Sequence, residues 1–430
     1  MKDWTGWQVP AIVRGDGFYL VDDKGRRYLD GTASMWCNVW GYGPNEVVEA
    51  MKGQLDRLQH CTLFGLASEP SARLAEKMAG LTGMEKAFYT DNGSSAIESA
   101  LKMVLQYWRN RGKPEKTQFV SVENGYHGDT AGAMSVGYVE QFFGAYKPIL
   151  FLNKVHRVPS PLLYGGSGRF DSEKDRVNWC LERTEKVLKK MADRCAALVM
   201  ESGAQIAGGV VIYPRGYQQK ISQLCKKYNV LLILDEIATG FGRLGNMVEF
   251  KVQKSEPDIA CFGKALTAGY FPLAVTMARE EIFDAFLGQY QQGRQFYHGH
   301  TFTGHPVGCA AALANIELYE KRNLMQQIKD NSQYIEQRLT EFEKISVVTD
   351  IRHKGMLAGI ELARGGKPLV YLKNKERFNY FVMRESLAMG VHLRSLGNVM
   401  VVIPPLAIDR ENLEKMMDAH LEVARKADKL

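Results

Sequence analysis

Between about residue 50 and about residue 300, short apolar runs alternate with stretches of helical spacing, and this alternation restricts the fold more than anything else in the chain. The runs are Ala87-Phe88-Tyr89, Phe119-Val120-Ser121-Val122, Ala197-Leu198-Val199-Met200, Val230 to Leu234, and Ala274-Val275-Thr276-Met277. Strands that return through helices lie parallel and are covered on both faces, so the expected class is α/β with a mainly parallel sheet. Ahead of it, Gly17 to Asp30 reads as a hairpin turning at Asp22-Asp23-Lys24-Gly25. After Gly308 one long helical pattern runs through Ile316 and past Leu324 as a connector to a smaller α+β unit. Strands are expected there at Gly355 to Leu362 and Val399 to Ile403, and Glu411 to Lys429 closes the chain as an amphipathic helix. The organisation predicted is residues 1–50 as the N-terminal part of a small domain, 51–305 as a large domain, and 306–430 as connector helix and C-terminal part of the small domain.

The bulk numbers exclude several classes of function. With 430 residues, 45% of them hydrophobic and 24% charged, the chain can bury a large core. A net charge of +7 spread along this length gives only weak support to nucleic acid or a membrane surface as partner, and a solvated surface is the better reading. The seven cysteines show neither CxxC nor Cys/His ligand spacing, which speaks against a disulfide framework and a structural zinc. No segment approaches the apolar length of a membrane span, and Met1 to Gly6 lacks the core of a signal peptide, so a cytoplasmic protein is expected.

Chemistry concentrates at the ends of the predicted strands. Asn229 to Leu234 is a continuous apolar run, which sets Asp235 at the carboxyl end of a buried strand, where open α/β sheets place their ligands. Pro257 to Phe262 is a second short run that delivers Lys264 to a similar edge. A lysine amine can hold an aldehyde cofactor covalently, and a buried carboxylate can keep a pyridine nitrogen protonated. Each motif alone is common; together they point to pyridoxal phosphate.

Three further segments fit that reading. Asp91-Asn92-Gly93-Ser94-Ser95-Ala96 follows a strand and opens a helix whose apolar residues Ile97, Leu101, Val104, Leu105 and Trp108 share a face. Free amides at such a start attract a phosphate, with Gly93 allowing close approach and Ser94 adding a hydroxyl; Ser94 serves equally well as the helix cap. Asn124 to Thr130 presents Tyr126 for stacking on a flat ring, while His127 reads as a structural histidine and Asp129 as a residue that orients its neighbours. His298-Gly299-His300-Thr301 offers the Thr301 hydroxyl to a phosphate on a glycine-hinged loop, in its own or another subunit, and two histidines without a third ligand make a poor metal site.

The chain resembles the class III, fold-type I pyridoxal-phosphate aminotransferases, and within them the 7,8-diaminononanoate synthases of biotin biosynthesis. The resemblance rests on Asp30-Gly31 through Ser34-Met35-Trp36, Gln106-Tyr107-Trp108, Gly125 to Thr130, Asp235 to Arg243, Gly263 to Thr267, His298 to Phe302, and Arg394 ahead of Pro404-Pro405. It implies a large domain with a mainly parallel sheet and a smaller α+β domain built from both termini. By the same resemblance Lys264 is the cofactor lysine and Asp235 the partner of the pyridine nitrogen. Gly93 and Ser94 become phosphate ligands, Tyr126 the stacking residue, and His300 and Thr301 cofactor contacts, Thr301 from the neighbouring subunit of a homodimer. Met35, Trp36, Tyr126, Gly299 and Arg394 line the pocket for 8-amino-7-oxononanoate, with Arg394 suited to a carboxylate.

The resemblance also implies a ping-pong transamination that gives 7,8-diaminononanoate, with S-adenosylmethionine or lysine as donor. The sequence departs from the family at Met35, at Trp40, and at Ser202 after Glu201, and the usual aromatic-rich opening is missing from it, so that either the start is truncated or Trp4 or Trp7 substitutes. The alternative is another class III ω-aminotransferase acting on a diamine, ornithine or 4-aminobutyrate. A nucleotide-binding dehydrogenase is disfavoured because no G-x-G-x-x-G follows an early strand.

Overall fold

A computed structural model describes residues 9–161, 172–373 and 375–430. Trp4 and Trp7 lie outside the described residues. The central element is a seven-stranded sheet in the spatial order Lys86–Thr90, Ala274–Ala278, Ile259–Phe262, Leu231–Asp235, Cys195–Glu201, Gln118–Val122, Val155–Val158. Every neighbouring pair from Ile259–Phe262 to Val155–Val158 is parallel. Ala274–Ala278 runs against both of its neighbours, so this run, expected as one more member of the parallel set, is instead the reversed strand.

Burial explains why these segments pair. All five residues of Leu231–Asp235 and all seven of Cys195–Glu201 are buried, as expected for strands with helices on both faces. The helix Gly93–Asn110 packs on this sheet through the fully buried Ile97, Ala100 and Val104, each large aliphatic contributing about 1.5–3 kcal/mol of burial. Two core clusters result, one on each side of alternating strand residues: Leu232 and Leu234 belong to one, Leu231 and Ile233 to the other.

The chain ends assemble together. Ile12–Asp16, Tyr19–Asp22 and Arg27–Asp30 form an antiparallel meander that includes the expected hairpin, and its last strand pairs in parallel with Val391–His392, setting Leu29 beside Val391 and Asp30 beside His392. The smaller unit thus draws on both termini. Val348–Lys354, Leu357–Arg364, Val399–Val402 and Ser395–Leu396 make an antiparallel sheet, and Arg410–Lys429 closes the chain, capped by the Asp409 carboxylate accepting from the Asn412 amide at 2.8 Å.

The single connector helix expected after Gly308 is two helices. Pro306–Lys321 begins earlier, with proline in its first turn, and ends before Asn323, whose left-handed backbone (φ +48°) opens the next helix, Leu324–Leu339. Helical periodicity continues across the break because both helices bury apolar faces, Ile316 and Leu318 before it and Leu324 and Ile328 after it. Among the described residues no helix is long and apolar enough to cross a membrane.

Candidate active site

Parallel register brings the acidic strand ends together. Asp235 pairs with Glu201 on one side and Cys261 on the other, so two carboxyl groups stand side by side at the carboxyl edge of the sheet. Lys264 follows the Ile259–Phe262 strand by two residues, and its φ of +46° turns the chain sharply into the short 3-10 helix Lys264–Thr267. A lysine in that region carries roughly 1–2 kcal/mol of backbone strain. Lys264, Asp235 and Glu201 all line one cavity of about 740 Å³.

The same cavity gathers most of the other expected residues: Gly93, Ser94, Tyr126, Met35 and Trp36. Tyr126 and His127 arrive on the loop after Gln118–Val122, the strand next to Cys195–Glu201. The Tyr126 ring lies near-parallel to Phe143, 5.9 Å away at 17°, and its hydroxyl donates to Asp129 at 3.0 Å. That hydrogen bond agrees with an orienting role for Asp129. Trp36 is buried, with its ring 5.2 Å from the Lys264 amine.

His127 is tied to the chemistry more closely than its sequence suggested. It is buried, and its Nδ1 lies 2.8 Å from the Asp235 carboxylate, whose other oxygen accepts the Ile237 amide at 2.9 Å. A carboxylate partner assigns a hydrogen to Nδ1, and Nε2 is buried with no hydrogen-bond partner among the described residues. Glu201 stands out in the sequence only for the residue after it. Its carboxyl accepts the amides of Tyr126 at 3.2 Å and Ile206 at 3.1 Å, while burial, reinforced by the Asp235 charge, pushes it up to about 8. Burial lowers the Lys264 amine from its ordinary value, against the opposing pull of Asp235 and Glu201.

The helix start resolves the two readings of Ser94. Asn92, not Ser94, is the cap: its side chain accepts the Ser95 amide at 2.9 Å. The Ser94 hydroxyl instead accepts the Thr130 amide at 3.0 Å and meets the Thr130 hydroxyl at 2.9 Å. A Cβ on Gly93 would come within 2.8 Å of the Ile237 side chain, so the helix start and Ile237 close on each other across the bare glycine.

Gly299, His300, Thr301 and Arg394 do not line this cavity. Gly299 and Thr301 are exposed, and His300 lies 3.6 Å from Asp91, a residue of the cavity wall. Arg394 is also exposed and stands at the rim, where its Nη1 is 3.1 Å from the sulfur of Met35. The pocket contact expected of Arg394 is therefore made through Met35.

The donor set fits pyridoxal phosphate. A depressed lysine amine suits its aldehyde, a strand-end carboxylate held by His127 suits its ring nitrogen, and a helix N-terminus flanked by Ser94 and Thr130 suits its phosphate.

Comparison with known proteins agrees with this geometry. The family model for aminotransferase class-III matches residues 4–423. An adenosylmethionine-8-amino-7-oxononanoate aminotransferase of Geobacter sulfurreducens is 40% identical over 97% of this chain and 92% of its own. The crystal structure of the enzyme of that name from Methanocaldococcus jannaschii superposes with a TM-score of 0.90 at 37% identity, covering 99% of this chain and 95% of that one. An omega transaminase of Pseudomonas jessenii in complex with PMP gives a TM-score of 0.92 at 29% identity, covering 99% and 94%.

Proposed function

This chain belongs to the class-III aminotransferases, enzymes that work with pyridoxal phosphate, and from that premise we propose that it transfers an amino group to the ketone of 8-amino-7-oxononanoate, giving 7,8-diaminononanoate. The observation that carries the reading is an end-to-end likeness to aminotransferases of that name, joined to a cavity in which Lys264, Asp235 and Tyr126 converge.

In this reading Lys264 holds the cofactor covalently, Asp235 holds its ring nitrogen, and Gly93 and Ser94 hold its phosphate. Tyr126 covers the ring face. When bound, the cofactor supplies an aldehyde that takes up the donor's amino group and a ring that spreads the charge left on carbon. The chain's own part is proton movement and orientation. Once the donor's amine has displaced it, Lys264 Nζ is a free amine whose neutral form burial favours; it would move a proton from the donor's α-carbon to the cofactor's aldehyde carbon and, in the second half-reaction, from that carbon to the acceptor carbon. His127 fixes the Asp235 carboxylate, and Glu201 fixes the backbone of Tyr126. Met35 and Trp36 supply an apolar wall for the acceptor's chain, and Arg394 stands where a carboxylate would arrive.

A cytoplasmic homodimer completes the reading. Thr301 and its neighbours Tyr297 and Phe302 are exposed and outside their own cavity, which is what a loop serving a second subunit's phosphate requires. The name shared by the relatives favours S-adenosylmethionine over lysine as donor.

Purified protein offered 8-amino-7-oxononanoate with each donor should form 7,8-diaminononanoate, read by mass spectrometry, with parallel-line ping-pong kinetics. Turnover of putrescine, ornithine or 4-aminobutyrate without any on 8-amino-7-oxononanoate would overturn the substrate assignment in favour of another ω-aminotransferase.

A further inference from the structure

The wall that carries Met35 and Trp36 is a strained turn. Ala33, Ser34 and Trp36 have φ of +49°, +59° and +67°, three non-glycine residues within four positions in the left-handed region. Nothing in the local sequence favours such a run, since each residue there is costly for an L-amino acid. It persists because one side chain over-determines it.

That side chain is Asp30, fully buried at the end of the Arg27–Asp30 strand. One carboxylate oxygen accepts the Thr32 amide at 3.1 Å and the Thr32 hydroxyl at 3.0 Å. The other accepts the Ser34 amide at 2.7 Å, the Tyr42 hydroxyl at 2.8 Å and, more weakly, the Asn38 side chain at 3.5 Å. The two amides belong to the turn, and Tyr42 and Asn38 add donors from outside it. Among the described residues no lysine or arginine forms an ion pair with Asp30, so these donors are its direct partners, with a weaker pull from the buried Arg243 and from His392. A buried carboxylate in that situation is expensive and persists only where every donor is in place.

The knot also reaches the chain's other end. Asp30 is in register with His392, whose Nδ1 lies 3.3 Å from the Thr32 hydroxyl, and the Gly31 amide donates to the His392 carbonyl at 3.0 Å. Two residues beyond His392, Arg394 meets the sulfur of Met35. The turn and the arginine are thereby set by one piece of sheet.

We propose that Asp30 is a positioning residue for the substrate wall: its carboxylate holds the strained Ala33–Trp36 turn so that Met35 and Trp36 face the cavity, in a fixed relation to Arg394. Its bearing on substrate rests on the functional reading above, whereas its bearing on the turn does not.

Cys37, half-buried on the cavity wall next to Trp36, reports the turn directly, and Cys61, half-buried away from that cavity, serves as reference. In the cofactor-loaded enzyme, iodoacetamide labelling followed by peptide mass spectrometry should show Cys37 reacting about ten-fold faster or more in Asp30→Asn, with Cys61 unchanged. Adding Ser34→Gly, which removes the strain at an exposed position outside the cavity, should bring the Cys37 rate back towards wild type. Tyr42→Phe removes a single donor and should give a smaller increase, and it decides the matter if Asp30→Asn fails to fold. Equal rates in wild type and variants, or a parallel rise at Cys61, would overturn the positioning role. In kinetics, the KM for 8-amino-7-oxononanoate should rise by about ten-fold while cofactor affinity holds within about two-fold. A wild type inactive on that ketone would sink the substrate reading and leave the labelling result standing.

Discussion

Replacing Asp235 by asparagine should cost far more than one hydrogen bond, because of what lies behind it. The asparagine carbonyl still accepts the Ile237 amide, but its amide nitrogen now faces His127 Nδ1, originally 2.8 Å from a carboxylate oxygen. Two donors then confront each other, and His127 relieves this by moving its hydrogen to Nε2, which is buried without an acceptor among the described residues. Stranding a buried N–H costs about 1–3 kcal/mol. Loss of the charge-assisted bond to the cofactor ring nitrogen costs about 1.5–3 kcal/mol more. The sum, about 2.5–6 kcal/mol, corresponds to roughly 10²- to 10⁴-fold, divided between cofactor affinity and kcat/KM. Both are measurable, by absorbance titration of the apo-protein with pyridoxal phosphate and by steady-state kinetics. The tautomer argument has its own check: in a His127→Leu background nothing is left to flip, so the same asparagine substitution should cost about 1–3 kcal/mol less. Equal costs in the two backgrounds would refute the coupling, and wild-type affinity and turnover in Asp235→Asn would refute the role of the carboxylate itself.

Lys264→Ala should end multiple turnover, and product beyond a single equivalent per subunit would rule out the lysine assignment. Gly128 has φ +121° and a Cβ there would overlap the Ser94 side chain, so Gly128→Ala should weaken cofactor binding by about ten- to hundred-fold. Gly80→Ala, on an open helix surface, should leave that binding unchanged. Burial pushes Glu201 up to about 8, so the folded chain keeps a proton that the unfolded chain has already released. Stability of the cofactor-free protein should therefore fall as pH rises from the ordinary carboxylate range to about 8, by at most about 1.4 kcal/mol per unit for this group. Glu201→Gln should flatten that slope in urea titrations, and an unchanged slope would exclude Glu201 as its source. Finally, co-expressing Lys264→Ala chains with Thr301→Ala chains should restore one intact site per mixed dimer if Thr301 serves its neighbour, and none if it serves its own cavity.

The strand-end logic was legible in the sequence because it is local. An apolar run that stops at an acid places Asp235, and a second run places Lys264, without knowledge of the rest of the fold. Glu201 carries the same signal, since Ala197 to Met200 is an apolar run stopped by an acid. Its partnership with Asp235, however, depends on strand register, and register is a property of the assembled sheet. His127 looks structural in the sequence because a loop histidine gives no hint that a residue 108 positions away will meet it. The helix after Gly308 looks continuous in the sequence because periodicity is blind to a single left-handed residue such as Asn323. Resemblance alone points to Arg394 as a pocket residue, since its meeting with Met35 at the rim joins positions far apart in the sequence.

The pairing of Asp30 with His392 joins residues 362 positions apart in the sequence, since Val391–His392 is the strand that completes the N-terminal meander. On the ribosome, the first three strands must therefore wait for this partner until residues 391 and 392 have been made. Long-range closure of this kind slows maturation and leaves nascent material open to misassembly. Linking the two termini and opening new ones elsewhere would let the meander close early, and such a circular permutant should refold faster than the natural order of segments allows.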